Sequence, residues 1–343
     1  MSYTVTNRTS GQQFSVEGDE SILDAALRQG RVMPYSCRSG TCGTCKSTLV
    51  SGRVDYGTYE PQAMTEAEKN NGHVLICQAK PLEDIVIDAR EVAAAANITI
   101  KTLPCRVVKM EKLANDVMCL HLKLPQGQDL SYLAGQYIDI ILRNGKRRSF
   151  SLATRTQPGE DLQIHVRHVP EGQFTGQVFN NMKEKDLLRL QGPLGTFFLR
   201  QESERPVIMM AGGTGFAPIK SILEQAFNDG AERPLHLFWG ARAAHDLYMH
   251  ELAERWSHEY ANLTYTPVLS EPLDEDNWSG ETGWVHDSVV AHYPDLSTYE
   301  VYASGPPPMI EAGKIAFAAH ALDSENLYYD SFEFAVDSTT TAS

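Results

Sequence analysis

Cys37-Arg38-Ser39-Gly40-Thr41-Cys42-Gly43-Thr44-Cys45 places three cysteines close together, and a fourth, Cys77, follows in Leu75-Ile76-Cys77-Gln78. C-x4-C-x2-C with one distant cysteine is a ligand spacing for a [2Fe-2S] cluster, in which four thiolates hold two irons. Gly40 and Gly43 suit such a loop, because a backbone without Cβ atoms can wrap tightly and aim its N-H groups at sulfur. Two plainer readings compete: a zinc ribbon, which would normally show two C-x2-C knuckles, and four buried free thiols. Cys105 and Cys119 lie in apolar, strand-like stretches and read as core thiols.

Other stretches carry residues that could hold a cofactor. Arg147-Arg148-Ser149-Phe150-Ser151-Leu152 follows Gly135-Gln136-Tyr137 on neighbouring predicted strands; on its own, a basic pair before an alternating strand reads as a polar edge. Ala211-Gly212-Gly213-Thr214-Gly215-Phe216-Ala217-Pro218 ends an apolar strand and opens a helix. Glycines there let the backbone approach a dinucleotide at the carboxyl edge of a sheet, or serve only tight packing. Ala303-Ser304-Gly305-Pro306-Pro307-Pro308-Met309 stands at the end of a later strand in the same way. In Gly172-Gln173-Phe174-Thr175 the threonine opens a helix, which fits an anion bound at free N-H groups or an N-cap equally well.

The elements that must position these residues fall into three segments. At 343 residues the chain is long enough for two or three domains with ordinary cores. Strands at 3–8, 12–17, 46–54, 74–78 and 85–90, with one helix capped by Ser21 and closed by Gly30, make a small sheet over residues 1–93. The Ala-rich stretch 92–97 reads as a linker or a helical turn. Strands at 103–112, 117–124, 136–143, 148–153, 161–168, 186–191 and 195–199, with a helix over 172–182, suggest a closed antiparallel barrel spanning 98–202. From 205 to 335 apolar strands at 207–211, 235–240, 263–268 and 299–303 alternate with helices at 217–228, 246–257, 286–292 and 308–320. That is the pattern of a parallel, doubly wound sheet. The tail 336–343 has nothing to bury and is expected to be disordered.

Charge and composition narrow the function. A net charge of −14 argues against a nucleic-acid partner, since binding phosphates needs clustered Lys and Arg. Acids and bases number 12 and 9 over 1–93, 11 and 15 over 94–204, and 21 and 6 over 205–343, so only the middle segment is basic enough to hint at an anionic ligand. No apolar run approaches membrane-spanning length, and the start Met1-Ser2-Tyr3-Thr4-Val5-Thr6 lacks the basic flank and apolar core of a signal peptide. With no disulfide framework among the six cysteines, a cytoplasmic setting is expected.

Residues 1–93 resemble a plant-type ferredoxin, which implies a β-grasp fold. Arg-x-aromatic-Ser on a barrel strand resembles the flavin signature of the ferredoxin-NADP reductase superfamily, implying an antiparallel six-stranded FAD barrel followed by a doubly wound NAD(P)-binding domain. The resemblance implies that Arg148 pairs with the flavin pyrophosphate, Ser149 belongs to the same contact strand, Phe150 packs on the isoalloxazine, and Ser151 hydrogen-bonds near its reactive N5. Superfamily members more often have tyrosine where this chain has Phe150, a change that keeps the stacking and loses the phenol's hydrogen bond. His165, Val166 and Arg167 resemble the second flavin-contact strand, and Gly172, Gln173, Phe174 and Thr175 its phosphate-binding turn. Gly213, Thr214, Gly215 and Pro218, with Ser304, Gly305, Pro306 and Met309, resemble the nicotinamide-binding elements, although many members have cysteine where this chain has Ser304. Tyr328-Tyr329-Asp330-Ser331-Phe332-Glu333 resembles the segment that sets an aromatic, here Phe332, against the flavin.

Four cofactor-level expectations follow. Cys37, Cys42, Cys45 and Cys77 ligate the cluster; FAD is bound; NADH is the donor, with NADPH kept open because Arg242 could meet a 2'-phosphate; and Ser151, Thr214, Ser304 and Phe332 surround the reacting rings. The resemblance implies an NADH-driven reductase that docks an electron-accepting protein near the cluster loop, of the kind that serves a deoxysugar dehydrase or a bacterial oxygenase. A flavin must stand between the carriers, because nicotinamide gives up two electrons together and a [2Fe-2S] cluster takes one at a time. The rival readings are a non-catalytic electron-transfer subunit of a larger complex and a free-flavin reductase, the latter having no use for the four cysteines.

Overall fold

The structure is a computed structural model that describes residues 2–157 and 159–332, so the tail expected at 336–343 lies outside the described residues. The chain divides after Thr99 into two compact units.

In the first unit, β1 (Ser2–Asn7) and β2 (Gln13–Glu17) form a hairpin, and α1 (Ile22–Arg28) follows. Next come β3 (Lys46–Ser51), β4 (Val54–Asp55), α2 (Glu66–Asn70), β5 (His73–Leu75), β6 (Lys80–Pro81) and β7 (Ile85–Asp88). The sheet order is β2-β1-β7-β3-β5, with β1 and β7 parallel, while β4 and β6 pair separately. Helix α1 forms because Ser21 Oγ accepts the Asp24 N-H at 3.0 Å, leaving Ile22, Leu23, Ala25 and Ala26 to bury one face. The expected strand 74–78 stops at Leu75, because Ile76–Gln78 turn to deliver Cys77. Helix α2 is an addition to the expected set, held by a reciprocal cap between Thr65 and Glu68. The Ala-rich stretch contains one 3-10 turn, Ala93–Ala95.

The second unit begins with a barrel. Its strands are β8 (Lys101–Ala114), β9 (Val117–Lys123), β10 (Tyr137–Ile141), β11 (Arg147–Ser151), β12 (Leu162–Arg167) and, after α3 (Gln173–Asn180), β13 (Leu187–Leu194). They pair in the order β11-β10-β13-β8-β9-β12, and a bridge between Leu152 and Ile164 joins the two ends. Val107, Leu120, Leu122, Ile138, Ile140, Ile164 and Val166 alternate inward to fill the core. The separate strand expected over 195–199 is not there. Gly195 adopts φ +87°, turning the chain out of the barrel so that Phe197 packs beside Tyr302 in the next domain's core.

The rest of the second unit runs β14 (Val207–Gly212), α4 (Phe216–Asn228), β15 (Leu235–Ala241), α5 (His250–Glu259), β16 (Leu263–Leu269), β17 (Glu281–Thr282), α6 (Val285–His292), β18 (Glu300–Gly305), α7 (Pro307–Ala319) and β19 (Leu327–Ser331). All pairs are parallel, in the order β17-β16-β15-β14-β18-β19. Met209 and Trp239 pack on one face of this sheet while Ile208, Met210 and Phe238 pack on the other, so both faces are covered as the continuous apolar strands require. Helix α5 starts later than the expected 246, because Asp246 accepts the Ala243 N-H and ends a short 3-10 turn first. Helix α4 also fastens the sheet to the barrel. Lys220 Nζ donates to Ala153 O at 2.8 Å, Ser221 Oγ donates to Thr154 O, and Glu224 and Gln225 accept the N-H groups of Arg155 and Thr156.

Candidate active site and cluster loop

The cysteine loop is shaped by backbone that only glycine tolerates well. Gly40 and Gly43 sit at φ +79° and +78°, and a Cβ on Gly40 would meet Thr58 O at 2.7 Å, one on Gly43 Ala63 O at 3.0 Å. Arg38 Nη2 holds Asp24 Oδ1 of α1 at 2.6 Å, and Gln78 Nε2 donates to Arg38 O at 3.0 Å, tying the distant cysteine to the loop. The Ser39 N-H points at Cys37 Sγ at 3.4 Å, and the Gly40 N-H at the sulfur of Cys77.

The four thiols converge as two pairs. A hydrogen bond from Cys42 draws the Cys37 thiol down to about 4 while raising that of Cys42, and Cys45 acts on Cys77 in the same direction. Among the described residues the only Cys, His, Asp or Glu set with three ligand atoms within 4.8 Å of one another is elsewhere, so these sulfurs do not gather around one point. A single tetrahedral zinc would need all four sulfurs about 3.8 Å apart. Two pairs fit two irons.

The second site lies where the barrel meets the carboxyl ends of the parallel strands. Ser151 ends β11 and is buried; its Oγ donates to Asp330 Oδ2 of β19 at 3.2 Å. Asp330 is the register partner of Ser304 on β18, which is in turn the partner of Ala211 at the end of β14. Ser304 Oγ is fully buried and has no hydrogen-bond partner, an arrangement that costs energy unless an incoming polar group satisfies it. Phe332, half-buried just beyond β19, donates its N-H to Gly305 O at 2.9 Å.

The Gly-rich turn is gripped from behind. Trp239 Nε1 donates to Gly213 O at 3.0 Å, and Phe216 stacks on the Trp239 ring at 3.9 Å. Side chains have no room in the turn: a Cβ on Gly215 would meet Ser304 O at 2.0 Å, and one on Gly212 Met309 Sδ at 2.4 Å. Thr214 remains half-buried, and Pro218 is buried in the first turn of α4.

The flavin-strand candidates divide between the two faces of the barrel wall. Arg148 and Phe150 are half-buried on β11, where Phe150 lies 5.2 Å from the core residue Phe174, while Ser149 Oγ donates to Asp139 Oδ1 at 2.7 Å. On β12, Val166 points into the core, and His165 and Arg167 point toward the nucleotide domain. His165 Nδ1 lies 2.9 Å from the Tyr248 hydroxyl, and burial holds its imidazole neutral by lowering the pKa to about 3. Arg167 lies between Asp116 at 3.1 Å and Asp246 at 3.4 Å, and a Cβ on Gly213 would touch its guanidinium. Gly172 is the N-cap of α3 and Gln173 its first residue, so Thr175 is not the cap; its Oγ1 reaches back to Val169 and Gly172 instead. Gly305 is buried and Pro306 exposed at the start of α7.

Comparison with known proteins gives this arrangement its class. Residues 5–82 match the 2Fe-2S iron-sulfur cluster binding domain, 104–199 the oxidoreductase FAD-binding domain and 209–314 the oxidoreductase NAD-binding domain. The chain belongs to the family of iron-sulfur flavoprotein reductases that join these three domains in one polypeptide, with sites for a [2Fe-2S] cluster, FAD and NAD. It is 40% identical to the CDP-6-deoxy-L-threo-D-glycero-4-hexulose-3-dehydrase reductase of Yersinia pestis, over 97% of this chain and 99% of that one. It is also 35% identical to the DmpP reductase component of phenol 2-monooxygenase from a Pseudomonas strain, over 98% and 96%. The crystal structure of the Amycolatopsis cytochrome P450 reductase GcoB superimposes with a TM-score of 0.79 at 31% identity, over 96% and 98% of the two chains.

Asp330 and Trp239 are absent from the residues singled out in the sequence. Asp330 stands in the stretch 328–333, two residues before Phe332, but its partner Ser151 is 179 positions away. Trp239 in Phe238-Trp239-Gly240 reads as an ordinary buried strand residue, and only the fold brings its indole to the glycine turn.

Proposed function

We propose that the chain takes a hydride from NADH where Ser151, Asp330, Ser304 and Phe332 converge, and delivers single electrons to a partner protein from the cluster loop. The observation that carries this is the fully buried, unpartnered Ser304 Oγ on the strand that neighbours the Ser151–Asp330 pair. A bound FAD supplies the chemistry the side chains lack, accepting two electrons together and releasing them singly.

The residues around it bind and orient. Arg148 offers a guanidinium to a pyrophosphate, Ser149 is held by Asp139, and Phe150, supported from behind by Phe174, presents a flat ring. Ser151, its one hydroxyl proton given to Asp330, would turn its oxygen lone pairs toward N5, with Asp330 fixing its rotamer. His165 and Arg167 support the flavin side of the interface, Val166 anchors their strand in the barrel core, and the turn Gly172, Gln173, Phe174 and Thr175 offers the helix N-terminus to phosphate. Gly213, Thr214, Gly215 and Pro218, packed against the Ser304, Gly305, Pro306 and Met309 segment, form the edge that receives the nicotinamide half of the dinucleotide. Cys37, Cys42, Cys45 and Cys77 would hold the irons of the cluster, which takes up and passes on one electron at a time. These roles assign residues 1–93 to the ferredoxin domain, 98–202 to the FAD domain and 205–335 to the NAD domain.

For the donor we favour NADH. Arg242 lies 3.7 Å from Asp246, whose carboxylate competes with a 2'-phosphate for it. The acceptor is a deoxysugar dehydrase-type or oxygenase-type protein, as the names of the relatives indicate. It docks at Ser36 to Thr44 with the acidic 55–68 stretch at the rim, and the setting is the cytoplasm, where Cys105 and Cys119 stay reduced. Anaerobic addition of NADH to the isolated protein tests the reading: bleaching of the flavin and cluster bands is expected. A spectrum unchanged by NADH would make this a passive electron carrier within a larger complex.

A further inference from the structure

A second group of metal-ligating side chains lies on the outer face of the barrel in the second unit. Glu111 on β8 and Cys119 on β9 are register partners, and His121 follows Cys119 by two residues, so strand alternation puts all three on one face. Their ligand atoms lie within 4.8 Å of one another. His121 Nε2 is 2.7 Å from Glu111 Oε2, whereas Lys109 Nζ takes the other oxygen, Oε1, at 2.5 Å. One carboxylate oxygen and one imidazole nitrogen therefore satisfy each other beside a buried thiol. Across β12, the register partner of Cys119 is His165, whose Nε2 is buried and unpartnered.

We propose that Glu111, Cys119 and His121 form a binding site for a zinc-class divalent cation. Sulfur, imidazole and carboxylate together suit zinc better than magnesium or calcium, which take oxygen ligands. A tetrahedral zinc sets its ligand atoms about 3.3 to 3.8 Å apart, and here His121 Nε2 and Glu111 Oε2 are 2.7 Å apart within a set no wider than 4.8 Å. The Cys119 thiol gives its proton to solvent on coordination, His121 exchanges Glu111 Oε2 for the metal, and Lys109 keeps Oε1, leaving Oε2 to ligate. His121 and Glu111 side chains are 15% and 40% exposed, so ions have a path in and a water can fill the fourth position.

The test uses holoprotein with cluster and FAD in place, stripped of loose metal and dialysed against micromolar zinc, with zinc and iron counted per chain by elemental analysis. Wild type is expected to retain one zinc with its iron undiminished, and Cys119→Ser and His121→Gln each to lose that zinc while keeping iron and flavin. Should Cys119→Ser fail to fold, His121→Gln and Glu111→Gln, both on the outer face, carry the comparison. Cobalt in place of zinc adds a sulfur-to-metal absorption band in the difference spectrum, absent from Cys119→Ser. Wild type that retains no zinc, variants that retain it as well as wild type, or zinc taken up only as iron is lost would each overturn the proposal.

Discussion

The Ser151 hydroxyl donates to the Asp330 carboxylate at 3.2 Å, joining the last residue of a barrel strand to the edge strand of the parallel sheet. The contact fixes the hydroxyl that faces the proposed reaction centre, so its loss should misplace reacting groups without unfolding either domain. Ser151→Ala and Asp330→Ala are expected to slow NADH-to-ferricyanide turnover by about tenfold to a hundredfold, with flavin content and the cluster's paramagnetic signal unchanged. Wild-type turnover in both variants would remove the pair from the reaction.

Cys42 is one of two sulfurs in the pair that also holds Cys37. Cys42→Ser should abolish the paramagnetic signal of the reduced cluster while NADH still reduces the flavin. Cys105→Ser should leave the signal as it is, since burial alone pushes that thiol up to about 12 and no other sulfur acts on it. A normal cluster in the Cys42 variant would refute the ligand assignment.

The flavin released by acid should chromatograph as FAD. Arg148→Ala is expected to weaken retention by about tenfold on gel filtration, the loss typical of one charge-assisted phosphate contact. Undiminished retention would mean that the pyrophosphate lies elsewhere.

His236 is buried against Phe238, bonded to Tyr293 through Nδ1 and Thr266 through Nε2, and burial lowers its pKa from 6.5 to about 4. Above about pH 6.5 both folded and unfolded chains hold it neutral. Below that the unfolded chain takes up a proton that the folded one refuses, so stability present at neutral pH is lost as pH falls from about 6.5 to about 4. Thermal melts followed by circular dichroism should show a shallower pH slope in that window for His236→Gln than for wild type. An identical slope would assign the acid sensitivity to other groups.

The acidic rim is less uniform than the sequence implies. Glu68 is held by Lys46 at 2.6 Å and by the Thr65 cap, the lysine bond first among the causes that lower its carboxyl to about 2; Glu66 is bonded to Tyr59. Asp55 and Glu60 are the exposed charges better suited to steering. Neutralising Asp55 and Glu60 together should reduce turnover with the protein acceptor at low salt, converge with wild type at high salt, and leave ferricyanide turnover alone. Salt-independent acceptor turnover in both proteins would place docking elsewhere.

Most of the architecture was legible because the patterns are local. Alternation in Val117–Lys123 and continuous apolar runs such as Val207–Ala211 mark barrel and doubly wound strands without knowledge of their partners. The strand expected at 195–199 failed because Phe197-Phe198-Leu199 is apolar for a different reason: it packs toward the next domain after the turn at Gly195. Within the site, cysteine spacing and glycine turns could be read directly. Relationships such as Ser151 with Asp330, Trp239 with Gly213 and Arg167 with Asp246 depend on which strand ends the fold brings together, and nothing in the flanking residues encodes them.

The fastening of α4 to the segment after β11 limits how the chain can be recombined. Lys220, Ser221, Glu224 and Gln225 read the main chain of residues 153–156 through its carbonyls and amides, so the contact is indifferent to most side chains there but strict about the path of the backbone. A chimera that exchanges the nucleotide half at residue 205 would retain this grip only if the incoming helix carries the same four polar positions. Transplanting α4 together with its sheet, and leaving the 153–156 backbone at its native length, keeps donor specificity portable between relatives.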